Sequence, residues 1–160
     1  LLTSFHARAL PRIRAEGGVV DKFLGDGVMA TFGAVTPSRT AARDALAALE
    51  GVMTEAARWS AETGEGLVVN GAVNAGPVVF AALGHANRLE FTVIGEAVNL
   101  AAKLEKHNKA EGTRALTTAA TLARAEAEGF RPEAPFAFER RAARPVAGVD
   151  VPVDLVVVAP

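Results

Sequence analysis

Short β-type runs and longer runs with helical periodicity alternate along this chain, and that alternation constrains the fold more than any other feature. The helical patterns are predicted over residues 1–16, 38–63, 97–107 and 119–127. The β-type patterns are predicted over residues 19–23, 28–32, 67–74, 77–83, 89–94, 114–116, 135–141 and 151–158. Elements in this order predict an α/β (α+β) fold, in which helices pack on a mixed or antiparallel sheet.

Local signals predict how two of the helices behave at their ends. Pro11 interrupts the first helical pattern, so a break or kink is expected there, because proline lacks the backbone N–H and crowds the preceding turn. Ser38 is predicted to cap the long second helix, since a serine side chain accepts hydrogen bonds from the first turn.

Composition narrows the class of protein. A chain of 160 residues, half of them hydrophobic, is predicted to form one domain over residues 1–160. The net charge of -1 gives no basic surplus, so binding to nucleic acid is not expected. Cysteine is absent, which excludes a disulfide framework and a thiolate metal site and fits the reducing cytoplasm. No apolar run reaches the roughly 18 residues of a membrane span, so this segment is not expected to contact a membrane.

The first candidate site is the turn that contains Asp26. Leu24-Gly25-Asp26-Gly27 separates two β-type runs, and Asp-Gly is typical of a hairpin turn that needs no function. A carboxylate on a rigid tip flanked by glycines also suits Mg²⁺, which prefers oxygen ligands and substrate phosphates. Lys22 lies four residues earlier and brings a cation near the same hairpin. These residues alone leave both interpretations open.

The second candidate site follows a strand that ends at Gly95. On the helix that begins there, Asn99 and Lys103 are four residues apart and share a face. An amide and a cation on one face suit a ribose and a phosphate, whereas the alternative is an ordinary solvated helix face. The three histidines, His6, His85 and His107, lack metal-ligand spacing and are predicted to lie in surface or loop positions.

Together these segments resemble the catalytic domain of class III nucleotidyl cyclases, the adenylate and guanylate cyclase family, and most of all its bacterial adenylate cyclases. The resemblance rests on residues 17–33 and 91–104 and extends through residues 71–84 and, weakly, 147–153. It implies a ferredoxin-like core in a head-to-tail homodimer with active sites shared between protomers. It also implies conversion of ATP to cyclic AMP and pyrophosphate with two Mg²⁺ or Mn²⁺ ions.

The resemblance also implies roles for individual residues. Asp26 matches a metal-binding aspartate, Lys22 and Thr92 match the pair that reads the base, and Asn99 matches the residue that orients the ribose. Asp26 would serve one site of the dimer, and the other residues would serve the second site. The base assignment agrees with chemistry, because an ammonium donates to N1 of adenine and a hydroxyl accepts from its amino group.

Two positions depart from the family pattern. Lys103 stands where the family usually has arginine, so the charge is kept and the bidentate fork is lost. The family's other metal-binding aspartate lies on a strand before the first helix, so the segment is expected to be N-terminally incomplete and inactive alone. Asp21 is predicted to be a poor substitute, because strand alternation turns it away from Lys22.

Two other functions remain open at this point. One is a non-catalytic, cyclase-like module that dimerises and binds nucleotide to regulate a partner. The other is a plain α/β interaction domain in which the hairpin and the helix are only structural. The expected location is the cytoplasm, including the cytosolic domain of a larger, multidomain or membrane-attached protein.

Overall fold

A computed structural model describes residues 2–159 of the chain, and within them it has four helices and eight strands. The helices are α1 (Leu2–Ala15), α2 (Ala41–Thr63), α3 (Glu96–Glu111) and α4 (Ala119–Ala127). The strands are β1 (Val19–Leu24), β2 (Gly27–Thr31), β3 (Gly71–Val73), β4 (Val79–His85), β5 (Arg88–Ile94), β6 (Ala115–Thr118), β7 (Ala137–Arg144) and β8 (Val153–Ala159). No helix within this range is both long and apolar enough to cross a membrane.

The strands form a central sheet and two separate hairpins. The central sheet has the order β3-β6-β8-β7, in which β3 and β6 are parallel and the other pairs are antiparallel. The hairpins pair β1 with β2 and β4 with β5. The predicted mixed sheet with helices packed on it is therefore confirmed.

The central strand β8 shows why the helices cover both faces of the sheet. Leu155 to Val158 are all buried, and successive side chains on a strand point to opposite faces. Val156 packs with α2 and α4, whereas Leu155 packs with Leu104 of α3 on the other side. A continuous apolar run of this kind is typical of a strand with both faces covered.

Two details of the helices differ from the sequence-based expectations. Helix α1 does not break at Pro11, because Pro11 lies on the exposed side of the helix, where water can satisfy the carbonyl that loses its partner. Ser38 does not cap α2, which begins at Ala41 after Thr40. The Ser38 hydroxyl instead accepts from the backbone N–H of Thr40 at 3.1 Å and shapes the turn ahead of the helix.

A buried carboxylate joins the end of α3 to β7. Glu111 accepts hydrogen bonds from Arg144 at 2.9 Å, from Arg141 at 2.9 Å, and from His107 at 3.0 Å. These bonds, led by that of Arg144, lower the pKa of Glu111 to about 2 against the opposing effect of burial. His107 is itself buried, so its predicted surface position is wrong. His107 contacts Glu111 one turn later on the same helix, and the arginines of β7 that bind Glu111 are 30 and 33 residues beyond it, which the local pattern does not reveal.

A second buried carboxylate lacks such partners. Glu50 of α2 is 5% exposed, and its Oε1 atom has no hydrogen-bond partner among the residues that the structure describes. The side chain borders an open cavity of about 360 Å³ that is also lined by Ala47, Phe130 and Pro132. Burial raises the pKa of Glu50 to about 7, and a hydrogen bond from the backbone N–H of Glu133 offsets only part of that effect.

The raised pKa of Glu50 predicts that the substitution Glu50→Gln increases the free energy of unfolding by an amount that depends on pH. Folded Glu50 keeps its proton up to about pH 7, whereas the unfolded chain loses it near pH 4.5, so the free energy of unfolding falls between these values. Glutamine carries no proton to lose. We expect Glu50→Gln to be more stable than wild type by about 1–3 kcal/mol at pH 8 and by almost nothing at pH 4.5.

Urea unfolding at the two pH values measures this difference. Glu65→Gln is the matched control, because Glu65 is exposed beyond the end of α2. A gain for Glu50→Gln of the same size at pH 4.5 and pH 8 would contradict the argument from protonation.

Candidate active site

The hairpin of β1 and β2 presents Asp26 at its tip. Gly25 has a φ of +62°, a left-handed conformation that glycine adopts without strain, and the turn places the Asp26 side chain in solvent. The backbone carbonyl of Asp26 accepts a hydrogen bond from Nε2 of His6 at 2.8 Å. The His6 ring also lies 5.5 Å from the ring of Phe23, so α1 holds the tip of the hairpin in place.

A β-bulge changes which way two neighbouring side chains point. The register of β1 against β2 shifts between Val20 and Lys22. An extra residue at a bulge interrupts strict alternation, and here it brings Oδ2 of Asp21 to 3.4 Å from Nζ of Lys22. The expectation that Asp21 faces away from Lys22 is therefore wrong.

The bulge brings Asp21 and Lys22 together with Thr92 of β5. Nζ of Lys22 donates to Oγ1 of Thr92 at 2.6 Å, and Oγ1 of Thr92 donates to Oδ2 of Asp21 at 2.9 Å. Thr92 is 7% exposed, and the Asp21 side chain is 3% exposed, whereas that of Lys22 reaches solvent. The two residues predicted to read a base thus lie in direct contact, although they are 70 residues apart in the sequence.

A largely apolar cavity lies beside this Asp21–Lys22–Thr92 cluster. Its volume is about 450 Å³, within the usual range for small-molecule sites. Its lining joins the first hairpin to the second: Val19, Val20, Asp21, Thr31, Val35, Phe80 and Phe91. Asp21 is the member of the cluster that lines this cavity, and the other walls are mostly apolar.

Helix α3 carries the other two predicted residues. Its start is set by Gly95, which has a φ of +151° and lies so close to Pro77 that an added Cβ would be 3.0 Å from the Pro77 carbonyl oxygen. Asn99 is exposed one turn into the helix, and Nζ of Lys103, one turn later, donates to the carbonyl of Gly148. Within residues 2–159, neither side chain forms a hydrogen bond with the Asp21–Lys22–Thr92 cluster or with Asp26.

The Asp26 carboxylate is the group of this site that could bind a divalent cation. Mg²⁺ keeps several waters and is usually held by one or two carboxylates plus substrate phosphates, which the exposed Asp26 carboxylate at the tip suits. Asp21 does not suit this role, because its buried carboxylate already accepts from Thr92 and faces Lys22. No group of three acidic or histidine side chains comes together to hold a metal in the described part of the chain.

The second hairpin exposes an apolar surface near the site. The rings of Phe80 and Phe91 stack with centroids 5.9 Å apart, and both are more than 40% exposed. The apolar residues of β4 and β5 that share this exposure are Val79, Phe80, Leu83, Leu89, Phe91 and Ile94. Alternation along the strands and their register place Phe80, Leu89 and Phe91 on one face of the hairpin and Val79, Leu83 and Ile94 on the other. Exposed apolar side chains that cluster in this way are typical of a surface that another protein covers.

Two residues that contribute to the site were missed by sequence reasoning. The orientation of Asp21 is not predictable from the sequence, because no residue type in β1 indicates the bulge. The contact of His6 is not predictable either, because its partner is a backbone carbonyl 20 residues away. The sequence feature that could have indicated a role for Asp21 is its position next to Lys22, but the alternation of side chains along a strand predicts that the two point to opposite faces.

Comparisons with known proteins identify the family and the fold of the chain. A family model described as the adenylate and guanylate cyclase catalytic domain matches residues 14–152. The chain is 35% identical over 129 residues to the terminal-differentiation specific adenylate cyclase of Dictyostelium discoideum, which covers 76% of this chain and 6% of that protein. It is 34% identical over 109 residues to an adenylate cyclase of Anabaena cylindrica, which covers 66% of this chain and 22% of that protein.

A solved structure shares the fold over nearly the whole chain. The guanylyl cyclase Cya2 superposes with a TM-score of 0.76 and 27% identity, covering 99% of this chain and 78% of that chain. The chain spans less than a quarter of the two curated relatives, at 6% and 22% of their lengths. The resemblance based on residues 17–33 and 91–104 is confirmed, and the chain belongs to the adenylate and guanylate cyclase catalytic domain family.

Proposed function

We propose that this chain is the catalytic domain of an adenylate cyclase, which converts ATP to 3′,5′-cyclic AMP and pyrophosphate. The observation that carries the proposal is the contact between Lys22 and Thr92, whose Nζ and Oγ1 atoms are 2.6 Å apart, next to Asp21, which lines an apolar cavity. Adenine presents an acceptor at N1 and donors on its amino group. The Lys22 ammonium can only donate and the Thr92 hydroxyl oxygen can accept, so the pair complements adenine.

The names of the relatives support nucleotide cyclisation as the reaction class, but they do not decide between adenine and guanine as the base. The two curated relatives are named adenylate cyclases, whereas the solved structure is named a guanylyl cyclase. The choice of ATP over GTP therefore rests on Lys22 and Thr92.

The reaction is an internal displacement. The ribose 3′-oxygen attacks the α-phosphorus, its proton is released, and the bond from that phosphorus to the bridging oxygen breaks so that pyrophosphate leaves. Asn99 would orient the ribose, and Lys103 would offset charge on the phosphates. Mg²⁺ or Mn²⁺, two ions in the complete family domain, would supply charge neutralisation at the phosphates, with Asp26 as one ligand.

The active form would be a head-to-tail homodimer. Asp26 of one protomer would act in the same site as Lys22, Thr92, Asn99 and Lys103 of its partner. The exposed apolar side chains of β4 and β5 support an interface, and Phe80 and Phe91 also line the cavity beside the Asp21–Lys22–Thr92 cluster. The face of the hairpin that carries Phe80 and Phe91 would thus both bind the partner and border the site.

One observation favours a second candidate, a non-catalytic nucleotide-binding regulatory module. Nζ of Lys103 donates to the carbonyl of Gly148, so the cation in place of the family's arginine is held by a loop of its own chain. A lysine used to fix this loop would bring less charge to the phosphates.

A nucleotide assay separates these functions. The test protein is the whole gene product, meaning this chain with any residues that its gene encodes before Leu1 or after Pro160. It is incubated with ATP or GTP and Mg²⁺ or Mn²⁺, the cyclic products are separated by chromatography, and ATP binding is measured in parallel.

We expect cyclic AMP from ATP, little cyclic GMP from GTP, and little or no product from residues 1–160 alone. Binding of ATP without any product would select the regulatory module. Failure to bind either nucleotide would select the plain interaction domain.

A further inference from the structure

The Asp21 carboxylate is a buried ionisable group that the proposed reaction does not use. Its side chain is 3% exposed. Oδ2 accepts a hydrogen bond from Oγ1 of Thr92 at 2.9 Å and lies 3.4 Å from Nζ of Lys22. Burial of a carboxylate is unfavourable unless it gains hydrogen bonds and an opposite charge. Thr92 and Lys22 supply both, so these three side chains form one hydrogen-bonded unit.

The chemistry of the three groups fixes the direction of each hydrogen bond. A carboxylate can only accept, so the single hydroxyl proton of Thr92 must point to Asp21. An ammonium can only donate, so one lone pair of the Thr92 oxygen accepts from Lys22. One lone pair of Thr92 remains, and no proton remains. Thr92 can therefore present only an acceptor to a bound base.

We propose that Asp21 is a positioning residue that fixes the Thr92 hydroxyl as an acceptor and so sets the preference of the site for a purine with an amino group at position 6. This inference rests on the proposed function, because it assigns the reading of the base to Lys22 and Thr92. Asp21 itself does not touch the base. It acts through the orientation of one hydroxyl proton.

A free hydroxyl can rotate and serve either base, but the Thr92 hydroxyl, whose proton is held by Asp21, discriminates between them. The amino group of adenine donates to the free lone pair of Thr92. The carbonyl at position 6 of guanine or hypoxanthine would place an acceptor against that lone pair, with the proton held away by Asp21. A buried acceptor without a donor typically costs tenfold or more in binding, on the order of 10–100-fold.

The test compares Asp21→Val with Asp21→Asn in the whole gene product. Valine is similar in volume, suits a strand and offers no acceptor, so the Thr92 proton becomes free to turn toward the base. Asparagine keeps an oxygen acceptor for that proton and removes only the charge. The substrates are ATP, inosine triphosphate, which has a carbonyl at position 6, and purine riboside triphosphate, which has hydrogen there and keeps the N1 acceptor.

We expect Asp21→Val to lower the ratio of kcat/KM for ATP over inosine triphosphate by about tenfold. Turnover of purine riboside triphosphate should change by less than about threefold, since it offers Thr92 no group at position 6. Asp21→Asn should keep the wild-type ratio within about threefold. With Thr92→Ala in the background, Asp21→Val should no longer change the ratio, because the hydroxyl it orients is gone.

An equal loss with all three nucleotides would overturn the proposal and leave Asp21 a purely structural role. A change of ratio in Asp21→Asn as large as in Asp21→Val would also overturn it, in favour of the charge alone. Equilibrium binding of the same nucleotides gives the preference for ATP over inosine triphosphate without turnover. Circular dichroism checks that the variants fold. If Asp21→Val fails to fold, Asp21→Ala replaces it. Absence of nucleotide binding and turnover in the wild type would instead reject the proposed function.

Discussion

We expect Asp26→Asn to lower the kcat of the whole gene product for ATP by at least about 10²-fold, the usual cost of losing one electrostatic contact to a transition state. Asparagine keeps the shape of the side chain and removes the charge of the one exposed carboxylate at the hairpin tip. Because Asp26 is solvent-exposed, the fold should be almost unaffected, with a change in the free energy of unfolding within about 0.5 kcal/mol.

The control for Asp26→Asn is Glu65→Gln, which removes an exposed carboxylate beyond the end of α2, outside the candidate site. We expect its kcat to equal that of the wild type. Full activity of Asp26→Asn, measured as cyclic AMP formation over a range of Mn²⁺ concentrations, would contradict the role of Asp26.

Mixing two inactive variants tests whether the active sites are shared. Asp26→Asn and Asn99→Ala each disable both sites of a homodimer. A mixed head-to-tail dimer would collect both substitutions in one site and leave the other intact, so an equimolar mixture should regain about a quarter of wild-type activity. No recovery in a mixture that exchanges subunits would show that each site is formed by one protomer.

The second large effect is expected at Lys103. Lys103→Arg should raise kcat about tenfold or more, because a guanidinium offers a planar fork of donors to phosphate oxygens where an ammonium acts as a point charge. Lys103→Met should lower kcat by about 10²-fold if the charge acts on the transition state. KM for ATP should change less than kcat in both variants, since the contact strengthens as charge develops.

Lys109→Arg is the matched control for Lys103, because it makes the same change on an exposed turn of the same helix. The contact of Lys103 with Gly148 provides the alternative outcome. If Lys103→Met lowers thermal stability and both substitutions leave kcat unchanged, the lysine only anchors the loop between β7 and β8.

The elements of this fold were predictable wherever the local pattern is strong. The hairpin of β1 and β2, strand β5, and helices α2 and α4 were expected close to their observed bounds, because apolar periodicity and glycines mark them. Strand β3 is shorter than expected, since only Gly71–Val73 pairs with β6. Residues 67–70 have the sequence pattern of a strand, but they have no partner strand among the described residues. Strand pairing depends on the tertiary structure and cannot be seen in the local sequence.

The site was predictable only in part. The pairing of Lys22 with Thr92 came from the family resemblance, since no local rule joins residues that far apart. The place of Asp21 was not predictable, because a bulge results from the fit between two strands rather than from any residue within one. The proposed roles of all five site residues remain predictions: Lys22, Asp26, Thr92, Asn99 and Lys103.

The hydrogen bond between His6 and Asp26 couples the position of the first helix to that of the hairpin tip. His6 lies on α1, its Nε2 atom donates to the Asp26 carbonyl, and its ring lies against Phe23 of the same hairpin. A displacement of α1 would therefore move Asp26, so this helix is a mechanical route by which a change elsewhere in the protein could reach the proposed metal ligand.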